Sequence, residues 1–230
     1  MAAELIVGLD VPTRAEAERI VEALDGVADF FKIGYQLAYG GDGLALGTAL
    51  IAAGKRVFFD LKLLDIDNTV EKGAAAIAAT GASMLTVHAY PHAMRAALRG
   101  AAGSGLTVLG VTVLTSLSND DLAEAGYAAP VEDLVALRLE AARAIGIGGV
   151  VVSGHEAARA RAVLGPQAAV VTPGIRPAGS AASDQKRVMT PADALAAGAS
   201  HLVVARPIVG APDPRAAALA ILEEMAGAAQ

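Results

Sequence analysis

Three ionisable residues stand close together in Asp60-Leu61-Lys62-Leu63-Leu64-Asp65. The segment opens with Val57-Phe58-Phe59, and Leu61 continues the apolar run, which predicts a short buried β-strand. Side chains on a strand alternate between two faces, so Asp60 and Lys62 share one of them. A carboxylate and an ammonium within an apolar strand are costly to bury unless they pair. Asp65 follows where the strand should end, and Asp67 or Asn68 can cap the helix that comes next. Two readings stand side by side. One is a structural ion pair at a strand terminus. The other is an Asp-Lys-Asp charge relay, placed where α/β proteins carry out their chemistry.

The elements that must position these groups recur with a regular rhythm. Short apolar strands are expected at 5–10, 30–34, 57–62, 84–88, 107–113, 149–152, 169–172 and 202–205. Alanine-rich helical segments separate most of them, including 13–24, with Thr13 and Glu16 spaced as a capping box, and a longer one over 131–145. Eight strand–helix units in 230 residues predict a single (β/α)₈ barrel over 1–230, a fold of typically ~250 residues. A doubly wound open sheet is the competitor, but it usually has fewer strands. The long connection at 173–189, rich in Gly, Pro, Ser and Ala, is expected to be a functional lid.

Composition narrows the function classes. With 54% hydrophobic residues and a mean hydropathy of +0.50 there is ample material for a core. No apolar run is long enough to span a bilayer, and Met1-Ala2-Ala3-Glu4 lacks the basic flank of an export signal. The chain has no cysteine, which removes disulfides and thiolate metal sites and suits a reducing cytoplasm. A net charge of −6 argues against a nucleic-acid surface. A cytoplasmic protein with neither nucleic acid nor membrane as partner is expected.

A barrel gathers the carboxyl ends of its strands on one face. Asp10 ends the first strand, Lys32 lies in the second, Asp60 and Lys62 in the third, His88 ends the fourth and Thr115 follows the fifth. The fold would therefore bring Asp10, Lys32, Asp60, Lys62 and Thr115 around one cavity, which favours the chemical reading over a lone ion pair. Toward the other end of the chain, Arg176, Gln185, Lys186 and Arg187 follow strand seven, and Ala205-Arg206-Pro207 follows strand eight. Guanidinium groups and backbone N–H groups there could hold a phosphate dianion. The four histidines have no metal-ligand spacing, and no dinucleotide or P-loop glycine pattern is present.

With these landmarks, Asp60-x-Lys62-x-x-Asp65-Ile66-x-Asn68-Thr69 resembles the orotidine 5′-monophosphate decarboxylase family. The similarity continues through Leu114-Thr115-Ser116, Pro173-Gly174-Ile175-Arg176, Asp184-Gln185 and Val204-Ala205-Arg206-Pro207-Ile208. Sugar-phosphate decarboxylases and aldol-type synthases of the same superfamily share the Asp-x-Lys-x-x-Asp signature, but typically use magnesium and place an acid on strand two, where this chain has Lys32. The family usually has glycine where this chain has Ala205, and a methyl group there is expected to fit if φ stays negative.

The resemblance implies decarboxylation of orotidine 5′-monophosphate to uridine 5′-monophosphate, a step of de novo pyrimidine biosynthesis, without cofactor or metal. It assigns catalysis to Lys62, Asp60, Asp65 and Lys32, and substrate contacts to Asp10, Lys32, Ile66, Thr69, Thr115, Arg176, Gln185, Ala205 and Arg206. It also implies a homodimer with shared sites, Asp65 and Ile66 reaching into the neighbour. The alternatives are a magnesium-dependent sugar-phosphate enzyme of the superfamily and a non-catalytic phosphate-ligand sensor.

Overall fold

In the computed structural model, residues 3–177 and 189–228 are described. Among them, eight parallel strands close into a barrel in sequence order, β1 (Glu4–Gly8), β2 (Phe30–Ile33), β3 (Arg56–Leu63), β4 (Met84–His88), β5 (Thr107–Val111), β6 (Gly149–Val151), β7 (Ala169–Thr172) and β8 (His201–Val204). β8 pairs back onto β1, Glu4 beside His201 and Val7 beside Val204. The expected (β/α)₈ barrel is the fold. No helix of the described residues is long and apolar enough to cross a membrane.

Strand alternation sorts the apolar residues into two cores. Ile6, Phe30, Phe58, Met84, Leu109, Ala169, Val171 and Val203 point inward and fill the barrel. Their neighbours in sequence, such as Phe31, Val57, Phe59, Leu85 and Val170, point outward under the helices. All four phenylalanines lie in β2 and β3, one of each pair inside and one outside, and all are fully buried. At roughly 1.5–3 kcal/mol per buried side chain, these rings anchor the sector that carries Lys32, Asp60 and Lys62.

The helices form the outer ring. α1 (Arg14–Ala23) starts where expected, the Thr13 hydroxyl accepting from the Glu16 N–H at 3.2 Å. A short α2 (Tyr35–Gly40), not anticipated from the sequence, precedes α3 (Gly43–Ala52). α4 (Asp67–Ala78) and α5 (Pro91–Gly100) pack closely, and a Cβ at Gly100 would lie 2.1 Å from the Glu71 carbonyl oxygen. The expected Asp67 or Asn68 cap is not formed. Ile66 is the N-cap of α4, without a side-chain hydrogen bond, and Asp67 instead lies 3.6 Å from Arg99 of α5.

The ring continues with α6 (Asn119–Glu124), capped by Ser118, then α7 (Val131–Ile145), which matches the expected span. A 3₁₀ turn at Gly154–Glu156 leads into α8 (Ala157–Leu164), and α9 (Pro191–Ala196), α10 (Arg206–Val209) and α11 (Pro214–Gly227) complete it. After β7, Ile175 bridges Met189 in parallel, and Arg176 N–H donates to the Met189 carbonyl at 3.0 Å. Most of the expected 173–189 lid, with Asp184, Gln185, Lys186 and Arg187, lies outside the described residues.

Candidate active site

Four charged side chains alternate in sign across the carboxyl ends of β1 to β3. Lys32 Nζ donates to Asp10 Oδ1 at 2.9 Å and stands 3.6 Å from Asp60 Oδ2. The other carboxylate oxygen, Asp60 Oδ1, accepts from Lys62 Nζ at 2.7 Å and from the Thr86 hydroxyl at 2.9 Å. The side chains of Lys32 and Asp60 are only 9% and 15% exposed, so each charge depends on its neighbours for solvation. Two acids and two lysines in sequence leave the row neutral overall.

The local backbone departs from a regular strand where the chemistry is densest. Phe59 pairs with Leu85 but Leu63 with Val87, so β3 carries two extra residues between these points. In that bulge Lys62 takes a φ of +46°, the left-handed region that L-residues avoid at a cost of about 1–2 kcal/mol. Its N–H donates to Thr86 Oγ1 at 2.9 Å. Asp60 and Lys62 do share the inward side, as period two requires. It is the bulge that brings Lys62 Nζ back onto Asp60 and to 5.4 Å from the Tyr35 ring centre, within reach of a cation–π contact.

The charges set one another's protonation. Burial alone would lift the Asp60 carboxyl, but Lys32 and Lys62 beside it, with hydrogen bonds from Lys62 and Thr86, hold it below the usual carboxylate range. Burial pushes the Lys32 ammonium down, yet Asp60 and Asp10 more than reverse this and leave it above the ordinary lysine value. His88 is shifted down, first by burial and then by Arg138 and Lys62, so its imidazole is neutral at pH 7.

A pH dependence of stability follows. A depressed Asp60 contributes stability that is complete above the unfolded carboxylate value, about 3.9, and lost as pH falls through its lower folded value. A raised Lys32 contributes stability that is complete below about 10.4 and lost as pH rises through its higher folded value. The gap in melting temperature between wild type and Asp60→Asn should therefore be flat near neutrality and narrow at both extremes, at the acid end as Asp60 is protonated and at the alkaline end as Lys32 loses its proton. A gap that widens on acidification would contradict this arrangement.

The row forms one wall of a cavity of about 390 Å³. Asp10, Lys32, Asp60, Lys62, Thr115, Arg176, Ala205 and Arg206 all line it, so most of the residues expected at the site converge there. Phe58, Val111 and Val203 supply apolar surface. Arg138 of α7 donates to the Thr112 carbonyl, bracing the end of β5 just before Val113 to Thr115 join the wall. Ala205 has a φ of −112°, the negative value that lets a methyl group stand there. The room for it comes from Gly8, where a Cβ would lie 2.8 Å from that of Ala205.

Asp65, Ile66 and Thr69 do not join this cavity. They are exposed beyond the end of β3, and Asp65 Oδ1 accepts the N–H of Ile66 at 2.6 Å. Within one chain, Asp60 is the carboxylate that pairs with Lys62. Gln185 lies outside the described residues. Sequence reasoning missed Tyr35 and Gln36, which line the cavity, and the buried Thr86. The signal for Thr86 was a lone hydroxyl between Met84 and His88 on the inward face of an apolar strand.

Comparison with known proteins decides the family. The model of the orotidine 5′-phosphate decarboxylase / HUMPS family matches residues 3–221. This chain belongs to that family. Among solved structures, it is similar to the crystal structure of orotidine 5′-phosphate decarboxylase from Lactobacillus acidophilus, at 35% identity and a TM-score of 0.82, with 97% of this chain and 99% of that one covered. It is also similar to an uncharacterized conserved protein from Geobacillus kaustophilus, at 32% identity and a TM-score of 0.82, with 96% and 99% covered. Membership in the orotidine 5′-phosphate decarboxylase / HUMPS family makes the barrel a decarboxylase-like, substrate-binding enzyme.

Proposed function

We propose that the protein decarboxylates orotidine 5′-monophosphate to uridine 5′-monophosphate, with no cofactor, as part of pyrimidine biosynthesis in the cytoplasm. The observation that carries this reading is the Asp10–Lys32–Asp60–Lys62 row on a cavity that Arg176 and Arg206 also line. The C6–carboxylate bond breaks, CO₂ departs, and the electron pair stays on C6 as a vinyl carbanion. The Lys62 ammonium stabilises that charge and donates a proton to C6. Solvent then reprotonates the neutral amine.

Asp60 holds the Lys62 Nζ by a 2.7 Å hydrogen bond and places negative potential near the departing carboxylate. Two like charges ~4 Å apart repel by about 4 kcal/mol at an effective dielectric near 20. Enzymes generally supply ~8–23 kcal/mol, so stress on the ground state is a partial share and carbanion stabilisation must provide the rest. Asp10 and Lys32 contact the ribose hydroxyls and Thr115 the substrate. Gln185 bridges base and phosphate, while Arg176, Arg206 and the Ala205 N–H bind the phosphate. Asp65, Ile66 and Thr69 complete the site of a two-fold partner.

The HUMPS part of the family description keeps a magnesium-dependent sugar-phosphate enzyme in view. Such a reaction needs carboxylates turned toward a cation, whereas here both Asp10 and Asp60 are engaged by lysines. Loss of orotidylate, followed by ultraviolet absorbance with and without EDTA, tests the reading. Turnover that EDTA leaves unchanged is expected. Absence of turnover favours a phosphate-ligand sensor, and turnover abolished by EDTA favours the magnesium reading.

The phosphate contacts should govern rate as well as affinity, because binding energy from remote groups can assemble a site around the reacting atoms. Arg206→Ala should raise KM at least about tenfold, the loss of one charge-assisted contact of ~1.5–3 kcal/mol. Orotidine without its phosphate should be a very poor substrate. Similar kcat/KM for orotidine and its phosphate ester would rule out the clamp.

A further inference from the structure

We propose that Thr86 is a positioning residue for the reacting pair, its hydroxyl holding the Asp60 carboxylate and the Lys62 backbone in one geometry. The inference rests on the reaction proposed above and extends it to a residue that touches no substrate.

Thr86 is fully buried on the inward face of β4. Its Oγ1 lies 2.9 Å from Asp60 Oδ1 and 2.9 Å from the Lys62 nitrogen. The direction of both bonds follows from chemistry. An ionised carboxylate can only accept, so the hydroxyl proton points at Asp60, and the Lys62 N–H can only donate, so it takes a lone pair of the same oxygen. One oxygen thus meets both members of the pair and has little freedom to rotate.

The contact sits where β3 would otherwise be least defined. The bulge removes Lys62 from regular pairing with β4 and sets its φ at +46°, a conformation that persists only when surroundings enforce it. The Thr86 hydroxyl supplies an acceptor for that displaced N–H from the neighbouring strand. It also shares Asp60 Oδ1 with Lys62 Nζ, so the carboxylate, the ammonium and the backbone that carries it meet at a single hydroxyl. A small error in where Lys62 Nζ stands relative to C6 can cost ~100-fold in rate. Asp60 is faced by Lys32 from β2, Lys62 on its own strand, Tyr35 from α2 and His88 from β4, with Asp10 beyond Lys32.

Thr86→Val keeps the shape and deletes the hydroxyl, whereas Thr86→Ser keeps the hydroxyl. The valine variant should lower kcat about 10- to 100-fold with KM for orotidylate within about threefold, since the Thr86 hydroxyl bonds Asp60 and Lys62 and not the arginines proposed to hold the phosphate. With one donor to Asp60 gone, the acid limb of its kcat/KM profile should move to higher pH. In the free protein, the Lys62 amide should lose protection from hydrogen exchange. Serine should restore kcat, the pH profile and the amide protection together, and Thr86→Ala serves as the second hydroxyl deletion if the valine variant does not fold. Unchanged Lys62 protection or unchanged kcat in the hydroxyl-free variants, or a serine variant as impaired as valine, overturns the proposal. If wild type fails to turn over orotidylate, the proposed reaction falls, and amide exchange alone still decides whether Thr86 holds the Lys62 backbone.

Discussion

Replacing Lys62 with alanine should abolish orotidylate decarboxylation, lowering kcat by at least about 10³-fold, while unfolding stays cooperative. Lys62 is the ammonium at the end of the charged row, and its carboxylate partner orients it over the cavity. Alanine at a φ of +46° meets the same backbone cost as lysine, so Lys62→Gly is the useful companion. It relaxes the backbone and should be just as inactive, which assigns the loss to the missing ammonium. The chain contains no cysteine, so Lys62→Cys would carry the only thiol. Alkylating it with 2-bromoethylamine forms a carbon–sulfur bond, expels bromide and places an amine at lysine's length. Activity should return with the amine. Activity within tenfold of wild type in Lys62→Ala would remove Lys62 from the role of proton donor.

The second large effect concerns assembly. Leu64 and Ile66 are exposed at the rim of β3, Ile66 by 70%, and Tyr35 and Tyr39 are exposed on α2, which follows β2. Apolar side chains grouped beside the mouth of a cavity favour a protein partner over water. Asp65, exposed and next to Ile66, does not line its own cavity, and a two-fold axis would present it to a second copy. We expect Lys62→Ala and Asp65→Ala to be nearly inactive alone and to regain activity when mixed in equal amounts under subunit exchange. Each heterodimer then holds one doubly damaged site and one site with both residues intact, and random exchange makes about half of the dimers heterodimers, so activity of the mixture should approach about a quarter of that of wild type per site. A confirmed heterodimer with no recovered activity would show that Asp65 serves its own chain.

Much of this protein is legible in local pattern. All eight expected strands are present, those at Met84–His88 and Ala169–Thr172 over the expected residues, because inward and outward apolar positions alternate within each. The helix Val131–Ile145 and the Thr13 cap are equally local, set by spacing of three and four residues. Once eight strand–helix units imply a barrel, convergence of Asp10, Lys32, Asp60, Lys62 and Arg206 follows from topology alone. The features the sequence did not disclose are set by contacts between strands. Lys32 finds Asp10 at a separation of 22 residues, and the Lys62 N–H finds Thr86 at 24. Nothing in the local pattern of β3 announces its two extra residues or the positive φ of Lys62. The Asp67 or Asn68 cap failed for a related reason, since Arg99 on the neighbouring helix offers Asp67 an ion pair instead. Alternation and helical spacing are short-range steric rules, so a chain carries them in every segment. The bulge exists only where β3 meets β4, because the acceptor for its displaced N–H belongs to another strand.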